Sequence, residues 1–203
     1  DGIHINATSK GSYRGTLEST LSAAEKGTAP ALAQIYEIGT ARAMDSGAFT
    51  PVEGVLPNRV SMRDYVDPVL SYYRTDGRLN SMPFNSSVPV LCYNEQAFQQ
   101  AGLDPNNPPT TFDEVTAAAQ QLVDQGVAEK GITFANYSWF VEQWFATAGQ
   151  EIVNKQNGRA GTPDEAHFDS EAAQEIYGWW TNLDEQGLYH NPGMEARGKA
   201  KNA

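Results

Sequence analysis

A chain of 203 residues with 40% hydrophobic content is long enough for one or two domains with sizeable cores, which argues against global disorder. Acidic residues outnumber basic ones by 25 to 14, and the net charge of −11 argues against nucleic acid or anionic lipid as a partner. The acidic residues are dispersed along the sequence, as is typical of a solvated folded surface.

The first part of the chain predicts strands that alternate with helices. Alternating apolar and polar residues predict a strand over residues 3–7, followed by a helix that ends at Gly27. A buried strand is predicted over residues 30–36, and a short helix that ends at Gly47 comes next. This order is typical of a mainly parallel α/β sheet with helices on its faces.

The middle of the chain predicts a helix and then two strands. Residues 61–72 are predicted to be helical, and Asp76 with Gly77 predicts a tight turn into a strand over residues 79–84. After a polar break, a nearly continuous apolar run predicts a strand over residues 88–93 that is buried on both faces.

Cys92 is the only cysteine, so an intrachain disulfide is impossible. It lies inside the apolar run of residues 88–93. The sequence therefore favours a buried small hydrophobic residue, with a reactive thiol as the alternative.

Local signals mark the helices of the following segment. Asn94 begins a predicted helix that Gly102 stops, and Thr111 with Glu114 forms a capping box at the start of a helix that ends at Gly126. A strand is predicted near residues 131–135. These signals continue the strand and helix rhythm of the first part.

The last part of the chain predicts mainly helices. One helix carries Trp139 and Trp144, and a long helix capped by Asp169 ends at Gly187. Trp139 and Trp144 lie near but not on one helical stripe, so one of them is predicted to belong to the core. Residues 155–163 form the most loop-like stretch.

The segment around the predicted strand at residues 88–93 carries a family resemblance. The chain resembles the extracellular solute-binding proteins of ABC importers, in the group that includes the maltose-type and glycerol-3-phosphate-binding proteins. Four linked blocks in one order carry this resemblance, whereas any one alone is weak. The matching residues are Pro83-Phe84-Asn85-Ser86-Ser87, Pro89-Val90-Leu91 with Tyr93-Asn94, Phe98 with Ala101-Gly102-Leu103-Asp104-Pro105, and Pro108-Pro109-x-Thr111.

The resemblance implies an α/β, two-lobe fold like that of the periplasmic binding proteins, with mainly parallel sheets flanked by helices, present here only in part. Residues 1–87 would form part of lobe one, and residues 88–203 the crossover strand and most of lobe two. The family would continue the chain on both sides, with a strand and a helix before Asp1 and a large second half after Ala203.

Three candidate ligand-binding residues in lobe one follow from the resemblance. Ligands of open α/β sheets bind beyond the carboxyl ends of parallel strands, where these residues are predicted to lie. The resemblance implies Tyr13, Glu37 and Ser87, and a structural role in a turn is the alternative for each. The motifs that match the glycerol-3-phosphate-binding branch are Gly11-x-Tyr13, Tyr36-Glu37-x-Gly39-Thr40 and Asn85-Ser86-Ser87.

The candidates in lobe two are Asn136 and Trp139. The glycerol-3-phosphate-binding branch carries a tryptophan shortly before the helix that contains Trp139, and Asn136 stands at that position here. Tyr137 or Trp139 is therefore expected to supply the aromatic ring. Because sugars usually stack on an aromatic residue at this place, the departure leaves the ligand open between a polyol phosphate and a sugar.

The sequence lacks the motifs HExxH, CxxC, GxGxxG and GxSxG and a P-loop, and its three histidines lack metal-ligand spacing. We therefore predict no catalytic residue, no metal and no cofactor.

The resemblance implies a protein that binds glycerol 3-phosphate, a glycerophosphodiester or a sugar and docks on a membrane permease. It also implies an extracytoplasmic location, in the periplasm or on the outer face of the cell membrane, with a lipid anchor as an open possibility. An α/β enzyme acting on sugars or phosphate esters is the alternative, because carboxylates are plentiful. A third possible function is that of an interaction domain that binds no small molecule.

Overall fold

The computed structural model describes residues 2–57, 60–194 and 197–202. The chain divides into two compact units. Unit 1 comprises Asp1–Ser87 with Arg159–Gly161, and unit 2 comprises Val88–Gly158 with Thr162–Ala203. The assignment of residues 1–87 and 88–203 to two lobes stays a prediction. Within the described ranges, no helix is long and apolar enough to cross a membrane.

The described part of unit 1 consists of short helices and a hairpin. Ser12 caps the first helix by accepting a hydrogen bond from the amide of Gly15, and the helix buries Leu17. In the hairpin, Asp76 and Gly77 have φ angles of 51° and 75°, which confirms the predicted tight turn. The elements are α1 (Tyr13–Glu25), a 3-10 helix (Glu37–Gly39), α2 (Thr40–Asp45), a 3-10 helix (Val52–Gly54), a 3-10 helix (Met62–Asp64), α3 (Asp67–Tyr72), β1 (Arg74–Thr75) and β2 (Arg78–Leu79).

Several predicted elements of unit 1 are wrong. The described residues contain no strand at 3–7 or 30–36, and β2 ends at Leu79 instead of continuing to residue 84. A strand requires a neighbouring strand for its hydrogen bonds, and local apolar patterning does not supply one. The predicted helix over residues 61–72 is broken, because Pro68 lacks the amide hydrogen that a helix interior needs and is tolerated only in the first turn of α3.

Unit 2 contains the larger core. The predicted helices after Asn94, after Thr111 and around Trp139 are present. The helix predicted to be capped by Asp169 is capped by Ser170 instead, whose hydroxyl accepts from the amide of Ala173 at 3.2 Å. The elements are α4 (Glu95–Gln100), α5 (Phe112–Asp124), β3 (Ile132–Thr133), α6 (Ser138–Thr147), α7 (Asn154–Gly158, a left-handed turn), α8 (Glu171–Glu185), β4 (Tyr189–His190) and α9 (Arg197–Asn202).

The buried strand predicted at residues 88–93 is wrong. These residues form no strand, and the side chains of Val88 and Val90 are 73% and 75% exposed. Cys92 is also exposed, so the prediction of a buried small hydrophobic residue is wrong. The apolar composition of this run favours burial in a sheet. The described residues contain no neighbouring strand with which it could pair, so no strand forms.

Unit 2 keeps the α/β character that the sequence predicts. β3 and β4 pair in parallel with Ile132 opposite Tyr189, and α6 and α8 lie between these strands along the chain. Parallel strands require such a helical crossover. The side chains buried against the pair come from α5, α8 and the strand region, and the largest cluster consists of Ala119, Phe134, Leu183, Leu188 and Tyr189.

The stretch predicted to be most loop-like, residues 155–163, begins in α7. Lys155, Gln156 and Asn157 have φ angles of 57°, 57° and 53°, in the left-handed region that costs non-glycine residues energy. The Asn157 side chain holds this turn, because its Oδ1 accepts from the amide of Ile152 at 2.8 Å. The turn is therefore ordered by a side chain rather than by helix propensity.

The capping box at the start of α5 is confirmed. The Thr111 hydroxyl accepts from the amide of Glu114 at 3.2 Å, and the Glu114 carboxylate accepts from the amide of Thr111 at 3.2 Å. We expect Thr111→Ala to lower the free energy of unfolding by about 1 kcal/mol, because the Glu114 amide loses its partner. Thr111→Ser keeps the hydroxyl and serves as the control. Chemical denaturation of both variants measures the effect, and equal stability of Thr111→Ala and the wild type would contradict it.

The same box predicts a pH dependence. Hydrogen bonds from the backbone and then the side chain of Thr110 lower the pKa of Glu114 below its usual value. The charged carboxylate therefore stabilises the folded state above the ordinary carboxyl pKa, and this contribution is lost as pH falls through the lowered pKa. We expect the stability difference between the wild type and Glu114→Gln to be constant near neutral pH and to shrink in acid. A pH-independent difference would contradict this prediction.

Candidate functional site

A stacked tyrosine pair lies at the start of α1. Ser12 caps the helix so that Tyr13 is its first residue, and the rings of Tyr13 and Tyr36 stack with centroids 5.7 Å apart and planes within 9°. Gly39 lets the Tyr36 ring pack closely, since a Cβ there would lie 2.8 Å from the ring. The stack places Tyr13, a predicted ligand residue, against the residue that precedes Glu37.

Glu37 begins the 3-10 helix that leads into α2. It is half-buried, and its backbone carbonyl accepts a hydrogen bond from the Tyr72 hydroxyl at 3.3 Å. Burial, and secondarily the negative charge of Glu37, raise the pKa of Tyr73 above its usual value. The charge of Glu37 therefore acts on the Tyr73 hydroxyl. A partly exposed carboxylate beside aromatic rings is suited to accept hydrogen bonds from hydroxyl groups of a ligand.

Tyr72, Tyr73 and Arg159 were not among the predicted site residues. The Tyr72 and Tyr73 rings meet edge to face at 5.2 Å, and the Arg159 guanidinium lies 4.0 Å from the centroid of the Tyr72 ring. Tyr72 and Arg159 are far from Glu37 along the chain, so no local pattern marks them. Only tertiary structure brings these residues of unit 1 together.

Ser87 is exposed and lies outside the helices and strands of the described chain. The strand that was predicted to precede it ends at Leu79. Its role as a ligand residue therefore stays a prediction that rests on the family resemblance.

The predicted residues of unit 2 follow the carboxyl end of β3. Asn136 is half-buried and forms a parallel bridge with Met194, and Trp139 is half-buried on α6 with its ring 5.4 Å from that of Phe140. Trp144 is also half-buried but packs against the core cluster beside Phe134, so it is the core member of the tryptophan pair. An amide and an aromatic side chain beyond a strand end are suited to ligand contact.

A groove of about 590 Å³ runs along α5 and α8 in unit 2, and a smaller recess of about 330 Å³ lies beside α3 in unit 1. Volume alone favours the groove, yet none of the predicted ligand residues lines either recess. The residues around Glu37 are the stronger candidate site, because they combine a half-buried acidic residue with a stacked tyrosine pair. The groove is lined by Phe112, Asp113, Thr116, Ala117, Gln120, Glu175, Gly178, Trp179, Asn182 and Gln186.

The sequence profile of one protein family, described as bacterial extracellular solute-binding protein, matches residues 1–200. The chain belongs to this family. Among curated relatives, the sn-glycerol-3-phosphate-binding periplasmic protein UgpB of Yersinia pestis is 41% identical over 159 residues, and that of Escherichia coli K12 is 39% identical over 164 residues. These alignments cover 75% and 78% of this chain but only 36% and 37% of the relatives. The chain thus spans little more than a third of their length.

Solved structures confirm the predicted fold class of the family. The cyclic α-maltosyl-1,6-maltose binding protein of Arthrobacter globiformis matches with a TM-score of 0.66 at 23% identity, covering 89% of this chain and 46% of that one. A solute binding protein of an ABC transporter from Thermotoga lettingae, bound with α-D-tagatose, matches with a TM-score of 0.67 at 20% identity, covering 91% and 46%. At these identities the likeness concerns the α/β fold of periplasmic binding proteins.

Proposed function

We propose that the protein carrying this chain is the substrate-binding component of an ABC uptake transporter and binds glycerol 3-phosphate or a related glycerophosphodiester. The observation that carries the proposal is the half-buried Glu37, which directly follows the stacked Tyr36 and whose carbonyl accepts a hydrogen bond from the Tyr72 hydroxyl. Relatives at 39–41% identity are named for binding sn-glycerol 3-phosphate, which favours that ligand over the second choice, a sugar.

The chemistry of the proposed ligand fits the residues around Glu37. A carboxylate accepts hydrogen bonds from neighbouring hydroxyl groups, and glycerol 3-phosphate offers two of them. Tyrosine adds a ring face for the carbon chain and a hydroxyl that both donates and accepts. Ser87 in unit 1 and Asn136 and Trp139 in unit 2 are proposed as the further contacts.

The proposed partner of the protein is the membrane permease of the importer. Its proposed cellular location is outside the cytoplasm. Binding proteins of two lobes close around their ligand, and the closed form is the one that a partner recognises. No bond is made or broken in this mechanism. The protein would thus be a binding protein and not an enzyme.

Titration of the full-length protein tests this proposal. We expect saturable binding of sn-glycerol 3-phosphate, weaker binding of glycerol, which lacks the phosphate, and the weakest heat signal with maltose. Each ligand is recovered after release and analysed for conversion. Recovery of unchanged glycerol 3-phosphate supports a binding protein. Formation of product would favour the enzyme alternative, and absence of binding to all three compounds would overturn the proposal.

A further inference from the structure

Tyr72 links the turn that contains Glu37 to a cation of the same unit. Its hydroxyl donates to the Glu37 carbonyl at 3.3 Å, while the guanidinium of Arg159 lies 4.0 Å from its ring centroid. The Arg159 Nε also donates to the Tyr72 carbonyl at 3.1 Å. Arg159 therefore holds both the ring and the backbone of Tyr72, whose hydroxyl contacts the predicted ligand residue.

Arg159 is fixed at a second point. Its carbonyl accepts from the amide of Asp76 at 3.1 Å, in the turn between β1 and β2. The side chains of Arg159 and Tyr72 are both half-buried. Partial burial strengthens a contact between a cation and a ring, because less water competes for the charge. Tyr72 is therefore held in one orientation by a residue that is itself anchored.

The turn that carries Glu37 has little intrinsic stability. It is a single 3-10 turn, Glu37–Gly39, and such short turns have poor hydrogen-bond geometry. The Glu37 carbonyl accepts from the amide of Thr40, so the Tyr72 hydroxyl is a second donor to the same oxygen. A second donor fixes the direction of the carbonyl, and with it the backbone from which the carboxylate projects.

We propose that Tyr72 and Arg159 are positioning residues for Glu37: Arg159 orients Tyr72, and the Tyr72 hydroxyl holds the Glu37 turn so that its carboxylate meets the ligand. The inference rests on the proposed function, since it takes Glu37 to be a ligand-binding residue. Neither positioning residue needs to touch the ligand. A carboxylate that must accept bonds of defined length and angle depends on such support.

Tyr72→Phe tests the hydroxyl alone, because the ring and its contact with Arg159 remain. We expect the full-length protein to bind sn-glycerol 3-phosphate about three- to tenfold more weakly, the loss of one neutral hydrogen bond. The matched control is Tyr93→Phe in unit 2, where the hydroxyl donates to the carbonyl of Pro105 at 2.7 Å. That variant loses the same kind of bond and should keep wild-type affinity.

Arg159→Gln tests the cation. We expect a similar loss of affinity, about three- to tenfold, and little further loss when Tyr72→Phe is added, because both changes act on one chain of contacts. Arg42→Gln is the matched control, since Arg42 is an arginine of the same unit that pairs with Glu18. Additive losses in the Arg159→Gln, Tyr72→Phe double variant would overturn the proposed order of contacts.

Two measurements separate positioning from direct contact with the ligand. In a Glu37→Ala background there is no carboxylate to position, so Tyr72→Phe should no longer change affinity. A loss that persists there would overturn the inference in favour of direct contact. In the empty protein, amide hydrogen exchange of Ile38 to Thr40 should be faster in Tyr72→Phe. Unchanged amide hydrogen exchange at these residues would overturn the inference, whether or not the protein binds a ligand. If the wild type binds no sn-glycerol 3-phosphate, the proposed function is overturned instead.

Discussion

Replacing Glu37 with glutamine is expected to weaken the binding of sn-glycerol 3-phosphate to the full-length protein by about ten- to a hundredfold. The variant keeps the shape of the side chain and one acceptor but removes the charge. A hydrogen bond to a charged group contributes about 1.5–3 kcal/mol, and about 1.4 kcal/mol corresponds to a factor of ten in affinity. The melting temperature of the empty protein should hardly change, because the hydrogen bond from the Tyr72 hydroxyl goes to the backbone carbonyl of Glu37, which the variant keeps.

Glu53 supplies the matched control in the same unit. Its carboxylate accepts from the amide of Leu79 at 3.1 Å and lies 3.8 Å from the Arg74 guanidinium, so its role is structural. Glu53→Gln should lower the melting temperature and leave affinity unchanged, the opposite pattern to Glu37→Gln. Calorimetric titration and melting curves of both variants separate the two roles. Unchanged affinity of Glu37→Gln would remove Glu37 from the ligand site.

A spectroscopic readout accompanies the same variant. Burial and the negative charge of Glu37 together raise the pKa of Tyr73, and only the second cause is removed by Glu37→Gln. The pKa of Tyr73 should therefore fall partway toward its usual value. Ultraviolet titration against a Tyr73→Phe reference identifies this tyrosine. An unmoved pKa would show that the carboxylate does not face Tyr73.

Helix starts and turns were predictable because their information is local. The box of Thr111 and Glu114, the cap at Asn94 and the turn at Asp76 and Gly77 each depend on residues within a few positions of one another. All of these predictions are confirmed. The cap predicted at Asp169 was one residue early, because Ser170 offers the hydroxyl that reaches the third helical amide.

Strands were less predictable because their partners are distant in the sequence. The run at residues 88–93 has the composition of a buried strand, yet no strand forms there in the described chain. β3 and β4 do pair, and the register of Ile132 with Tyr189 joins residues that no local pattern connects. The same limit applies to the candidate site. Family motifs point to Glu37, whereas Tyr72 and Arg159 reach it only through tertiary contacts.

The second large effect is expected at Gly131, directly before β3, where the backbone approaches Ala119 of α5. A Cβ on this residue would lie 2.6 Å from the carbonyl carbon of Ala119 and closer still to its oxygen, so backbone would have to move. The amide of Gly131 is meanwhile held by the carbonyl of Leu188 at 2.9 Å. We expect Gly131→Ala to lower the free energy of unfolding by about 3 kcal/mol, the upper end of the usual cost of overpacking.

Gly178 provides the control, because it lies inside α8 and a Cβ there meets nothing within 4 Å. Gly178→Ala should raise the free energy of unfolding by about 0.5–1 kcal/mol, since alanine favours a helix interior. The same substitution thus destabilises at one glycine and stabilises at the other. Tryptophan fluorescence during chemical denaturation reports both, because Trp179 lies beside Gly178 and packs against the cluster that contains Ala119. A Gly131→Ala variant that is as stable as the wild type, or more stable, would mean that Gly131 does not approach the α5 backbone as described.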